Sequence, residues 1–147
     1  MNIVKHLNGL KLPPLPKRRS TSKKDYLVTG IFASFIGTYL DLYFVGKGMY
    51  EFPNRPLLEL FSINISFTLA GLPVFVMLLL YFLSRLTKWG KIALILLVSL
   101  LMAVFEKFAE VLGFFQHGDE WKHLYTFFGY LLFLLIIAVF FHWLKEE

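Results

Sequence analysis

Cysteine is absent from the 147 residues, which excludes disulfides, thiolate nucleophiles and cysteine-ligated zinc and leaves the redox compartment unreadable. Charge is scarce: Asp, Glu, Lys and Arg make up 17% of the chain against 57% hydrophobic residues, a balance that a soluble domain of this size does not carry. Long polar stretches are missing after the first 25 residues. A separate soluble catalytic domain therefore has no room, and any activity must be built from the apolar segments and their connections.

What is present is apolar sequence in long blocks, with 17 Phe and a mean hydropathy of +0.63. Crossing a bilayer core of roughly 30 Å takes about 20 apolar residues. Four segments qualify or nearly so: Tyr26 to Val45, Leu60 to Leu83, Ile92 to Val111 and Leu124 to Leu144. The expected fold is an all-α polytopic membrane protein, a bundle of four transmembrane helices over 26–147, preceded by a basic, proline-containing tail over 1–25. That tail holds Pro13, Pro14 and Pro16, then Lys17, Arg18, Arg19, Lys23 and Lys24. It has no apolar core or cleavage site of a signal peptide and is expected to stay on the mature protein. Its prolines favour an extended segment, and its cations suit anionic lipid at about 1 kcal/mol each. Most of the net charge of +5 lies there, so lipid head groups, not nucleic acid, are the expected partner.

Seven Lys and Arg precede the first span, and the full count by side is eleven against four. The positive-inside rule then places both termini and the 86–90 turn in the cytoplasm, with the loops around Gly48 and Gly118 outward. Trp89, Trp121 and Trp143 fall at the expected interfaces. At 1.5 Å per residue, Asp41 lies about 22 Å along the first span and Glu106 about 22 Å along the third, with Glu110 and His123 in the same outer layer.

Helical spacing predicts the faces. Gly30, Ser34, Gly37 and Asp41 follow i, i+4, i+7, i+11, as do Ser99, Ala103, Glu106 and Glu110, so each acid continues a stripe of small residues of the kind that packs against neighbouring helices. Asn64, Thr68 and Gly71 share a face of the second span, with Pro73 placed to bend it, and His123, Thr126 and Tyr130 share one of the fourth. The predicted site is a polar cluster of Asp41, Glu106, Glu110 and His123 in the outward half of the bundle. Lys47, Glu51, Arg55, His117 and Trp121 are the predicted loop contacts, in two connections that roof the cluster. Gly118 and Asp119, with Glu120 beside them, signal the turn of the second connection.

Glu106 and Glu110 stand one turn apart, so their like charges need compensation from a shared proton, from Lys107 or Lys47 folded over them, or from a bound cation. A metal reading uses Glu106 and Glu110 with His123, joined by His117 or Asp41, and suits zinc or manganese. The chain has no His-Glu-x-x-His and lacks the two Glu-x-x-His motifs of di-iron bundles, so neither the metal nor any other cofactor is identified. Lys47 with Arg55-Pro56 does not match the lipid-phosphatase pattern, because the gap is one residue too long and no Pro-Ser-Gly-His follows. The Glu-Glu-x-x-x-Arg of intramembrane prenyl-protein proteases and a Gly-rich phosphate loop are also missing. Asp41 would be the coupling acid of a proton or cation transporter, which four helices build only as an oligomer; its structural alternative is a hydrogen bond to Asn64 or Tyr130.

The stretches Asp41-Leu42-Tyr43-Phe44-Val45-Gly46-Lys47-Gly48, Phe52-Pro53-Asn54-Arg55-Pro56, Phe61-Ser62-Ile63-Asn64, Phe105-Glu106-Lys107 and Trp121-Lys122-His123 resemble a family of small four-span integral membrane proteins from Bacillus- and Clostridium-like spore formers. The resemblance covers Gly37 to Leu144 and implies a bacterial cytoplasmic membrane, with the outward motifs as the working end; the family has no assigned activity to carry over. The functional expectation is an accessory membrane protein that binds a partner, lipid or small cation through the outward polar cluster, with a homo-oligomer or another membrane protein as possible partner. The alternatives are an oligomeric proton- or cation-coupled transporter and a metal-dependent intramembrane enzyme; an enzyme is the less favoured reading.

Overall fold

The computed structural model describes residues 22–118 and 121–146. The basic tail with Pro13 to Arg19, and Asp119 and Glu120 of the second connection, lie outside the described residues. Four helices dominate: α1 (Lys23–Gly46), α2 (Phe67–Leu83), α3 (Lys88–Val111) and α4 (His123–Glu146). Two short strands, β1 (Tyr50–Glu51) and β2 (Gln116–His117), pair antiparallel. The chain is therefore mainly helical, and α1, α3 and α4 are long and apolar enough to cross a membrane.

Local chemistry sets the helix ends. Ser22 and Asp25 form a capping box, in which the Ser22 N–H donates to Asp25 Oδ2 at 2.8 Å, so α1 starts at Lys23, earlier than the expected Tyr26. Thr87 caps α3 by accepting the Gly90 N–H at 3.3 Å. Gly113, at φ +76°, takes the left-handed position after α3. The Phe114 N–H then reaches Ala109 O at 2.8 Å, closing the last turn and reversing the chain.

The second apolar segment departs from the expected 60–83. Residues 60–64 form no helix, and α2, at about 26 Å, falls short of a full hydrocarbon core. Loop contacts outcompete helix here: Arg55 donates from Nε to Phe61 O at 2.5 Å and from Nη1 to Phe52 O at 2.6 Å, while Ile63 is buried. Asn64 Oδ1 accepts the Phe67 N–H at 3.2 Å, which makes Asn64 a cap for α2. The first turn of α2, Phe67–Gly71, is wound as a π-helix just ahead of Pro73. Proline there lacks the N–H of the α pattern, and Ser34 of α1 donates to Thr68 O at 2.6 Å across the helix interface.

The small-residue stripe of α1 faces α2 as its spacing predicts. Gly30, Ala33 and Ser34 are buried, and a Cβ on Gly37 would collide with Leu72 Cδ2. Around the bundle, α2 packs on α1, α1 on α4 and α4 on α3, whereas α2 and α3 touch at few points. The apolar core, with Ala33, Val76, Leu80, Ile95, Leu134 and Ile137, fills the end nearest the α2–α3 turn. The opposite end, where α2 stops short, is where the polar residues gather.

Candidate functional site

The β1–β2 ribbon lies over that opposite end. Tyr50 is opposed to His117 and Glu51 to Gln116, and the Gly118 N–H extends the pairing to Met49 O at 2.9 Å. The turn at Gly113 carries the chain back over the end of α3, and Asn54 Nδ2 holds Gly113 O at 2.9 Å. This fold-back delivers His117 to the two acids of α3.

His117 bridges them. Its Nδ1 is 2.7 Å from Glu110 Oε1 and its Nε2 is 2.8 Å from Glu106 Oε1. Ionised carboxylates only accept, so each of the two contacts requires a proton; two protons hold three groups together. Burial pulls the His117 pKa down, but the hydrogen bonds from Glu106 and Glu110 outweigh it and the net direction is upward. The resulting imidazolium between two carboxylates answers the repulsion expected of the acid pair. Glu106 is further held by the Thr126 hydroxyl, 2.5 Å from its Oε2. Trp121 Nε1 reaches both Thr126 Oγ1 at 3.1 Å and Glu106 Oε1 at 3.3 Å. His123 Nδ1 stands 3.6 Å from Glu106 Oε1 and its ring meets that of His117 edge-on, with centroids 4.8 Å apart.

Of the predicted cluster, Glu106, Glu110 and His123 thus come together, and His117, expected only as a loop contact, is their hub. Asp41 is not bonded to them. It accepts a 2.7 Å hydrogen bond from the Tyr50 hydroxyl, not from Asn64 or Tyr130. Burial first, and then the neighbouring Asp41, push Tyr50 well above the usual phenol range, so it stays a donor. Lys47 does not cover the acids but lies over the Tyr43 ring, 5.9 Å from its centroid. Arg55 is committed to its own loop carbonyls, and Glu51 is exposed on the ribbon. Trp121 turns inward against Phe44 and Tyr50, at 5.8 and 5.4 Å between centroids, and does not serve as a free interfacial ring.

Asp41 and Glu106 nonetheless share a space. A cavity of about 560 Å³ lies under the ribbon between α1, the π-wound start of α2, α3 and α4. Aromatic rings dominate its walls, among them Phe44, Tyr50, Phe115, Trp121 and Tyr130. Among the described residues, the carboxylic acids that line it are Asp41 and Glu106, and no Lys, Arg or His does. The two acids differ in how well they are satisfied: Glu106 accepts from Thr126, His117 and Trp121, Asp41 from Tyr50 alone. On the side where α2 and α3 part, Phe67 and Phe105 line the cavity while being 39% and 60% exposed. The cavity thus reaches the surface through the apolar flank of the bundle. No family model, curated protein or solved structure matches the chain.

Proposed function

We propose that this chain is a four-helix integral membrane protein, its termini on the cytoplasmic side of a bacterial membrane, that binds a small amphipathic cation in the cavity at its outward end. The observation that carries the reading is the lining of that cavity: among the described residues, aromatic faces surround an Asp41 carboxylate with one hydrogen bond, and no basic side chain lines the walls. A carboxylate in such surroundings is costly unless a positive group stands beside it, and aromatic faces attract the same group, most strongly when it is desolvated. The flank opening between Phe67 and Phe105 suits a ligand that partitions into lipid before it binds. The charge asymmetry of the loops supports the orientation, and the resemblance to four-span proteins of spore formers supports the bacterial setting. The reading narrows the expected partner, lipid or small-cation binder to an organic cation and makes no use of catalysis.

The test is calorimetric titration of the detergent-purified protein with benzyltrimethylammonium and with its uncharged carbon isostere, neopentylbenzene. Saturable binding of the cation, at least tenfold weaker for the isostere and for Asp41→Asn, is the expected result; tenfold corresponds to about 1.4 kcal/mol. Glu51→Gln, on the exposed ribbon surface outside the cavity, is expected to bind as the parent does. Equal binding of the cation by parent and Asp41→Asn refutes the reading.

A further inference from the structure

We infer that Glu106, His117 and His123 form a site for a zinc-class divalent cation that ties the roof ribbon to α3 and α4, with Glu110 as the group that orients His117. This goes beyond the cavity reading and does not use Asp41.

One ligand atom from each of Glu106, His117 and His123 can be chosen so that all lie within 4.8 Å of one another. Zinc bonds to nitrogen and oxygen run about 2.0 to 2.2 Å, which puts tetrahedral ligand atoms about 3.3 Å apart. The Glu106–His117 and Glu106–His123 separations of 2.8 and 3.6 Å bracket that value. Closing the third edge takes a turn of His123, whose side chain is 45% exposed, out of its edge-on contact with His117, and a widening of the 2.8 Å edge. Two imidazoles and one carboxylate favour zinc, cobalt or nickel over magnesium or calcium, which prefer all-oxygen sets.

The groups behind the ligands are placed as a metal site requires. A ligating histidine ordinarily donates its other ring N–H to a carboxylate, which fixes tautomer and ring orientation. His117 Nδ1 faces Glu110 Oε1 at 2.7 Å, which leaves Nε2 as the ligand atom on the Glu106 side. Thr126 Oγ1 stands 2.5 Å from Oε2 and 2.6 Å from Oε1 of Glu106, so that ligand is also oriented. With three protein ligands, a tetrahedral ion keeps its fourth position for water or another small donor. The three ligands come from α3, from β2 and from the first residue of α4, so the ion would staple the roof to two helices.

The test uses protein purified through a tag without histidine, stripped with a chelator, dialysed against zinc and analysed by elemental mass spectrometry, with cobalt absorption as a second readout. About one zinc per chain and the intense visible bands of four-coordinate cobalt are expected. His123→Ala, which removes a largely exposed side chain, should weaken zinc at least tenfold while circular dichroism remains that of the parent. His117→Gln should do the same, and Glu110→Gln should weaken binding by roughly 10- to 100-fold as an orienting partner. His142→Ala and Asp41→Asn should retain the metal, so this site and the cavity ligand fail or survive separately. No zinc in the parent, or equal zinc in parent and His123→Ala, overturns the inference.

Discussion

Gly118→Ala is expected to lift the ribbon off the bundle. A Cβ on Gly118 would sit 2.7 Å from Gly48 O and 3.2 Å from Met49 O. Both obstacles are backbone, so no side chain can swing aside to relieve them. The variant must give up the Gly118 to Met49 hydrogen bond or shift β2 against β1, and His117 sits in the strand that moves. The readout exploits the absence of cysteine. Glu51 and Gln116 are directly opposed, within reach of a disulfide for paired strands. Glu51→Cys with Gln116→Cys should cross-link readily under mild oxidant in the parent background, and at least tenfold more slowly when Gly118→Ala is added. Unchanged cross-linking would mean that the ribbon does not depend on that close approach.

Glu106→Leu should be the most destabilising single change at the site, at about 3 to 5 kcal/mol. Three donors converge on this carboxylate, and its removal leaves the Thr126 hydroxyl without its acceptor, the His117 ring with Glu110 alone and the Trp121 N–H with Thr126 Oγ1 alone. Glu110 has the same chemistry but one partner, and its side chain is 36% exposed against 11% for Glu106. Water can replace what Glu110→Leu removes, so its cost should stay near 1 kcal/mol. Thermal unfolding in detergent after chelation, with the two variants and the double variant compared, separates them. Combining Glu106→Leu with His117→Leu should cost less than the sum of the two singles, because the second change removes the orphaned charge created by the first. Similar losses for Glu106→Leu and Glu110→Leu would contradict the convergence of donors on Glu106.

Much of this arrangement is legible from residue order alone. Apolar length marks α1 and α3, although the caps Ser22 and Thr87 start them before the expected Tyr26 and Ile92, and the Gly30, Ser34, Gly37 spacing finds the face that packs on α2. The pairing of Glu106 and Glu110 with a compensating group is likewise implied by their spacing. What helical periodicity does not carry is the path of the connections. His117 is the hub because Gly113 reverses the chain after α3, and that glycine is the local signal that points to it. Asp41 has the right depth but a different partner, because the ribbon inserts Tyr50 beside it. The start of α2 is misread for a related reason: hydropathy counts Leu60 and Phe61 as span, while Arg55 gathers the carbonyls around them into a loop. That early stop leaves open the space that becomes the cavity.

By the proposed function, this cavity lies at the outward end of a bundle in which α2, despite its length, crosses the bilayer. Labelling with a membrane-impermeant maleimide in intact bacterial cells tests it most directly, because the parent chain offers no thiol. Glu51→Cys, on the exposed ribbon, and Arg85→Cys, in the turn after α2, lie at opposite ends of that helix. The account predicts that Glu51→Cys is labelled from outside and Arg85→Cys only after permeabilisation. Labelling of both from the same side, or the reverse pattern, would contradict it.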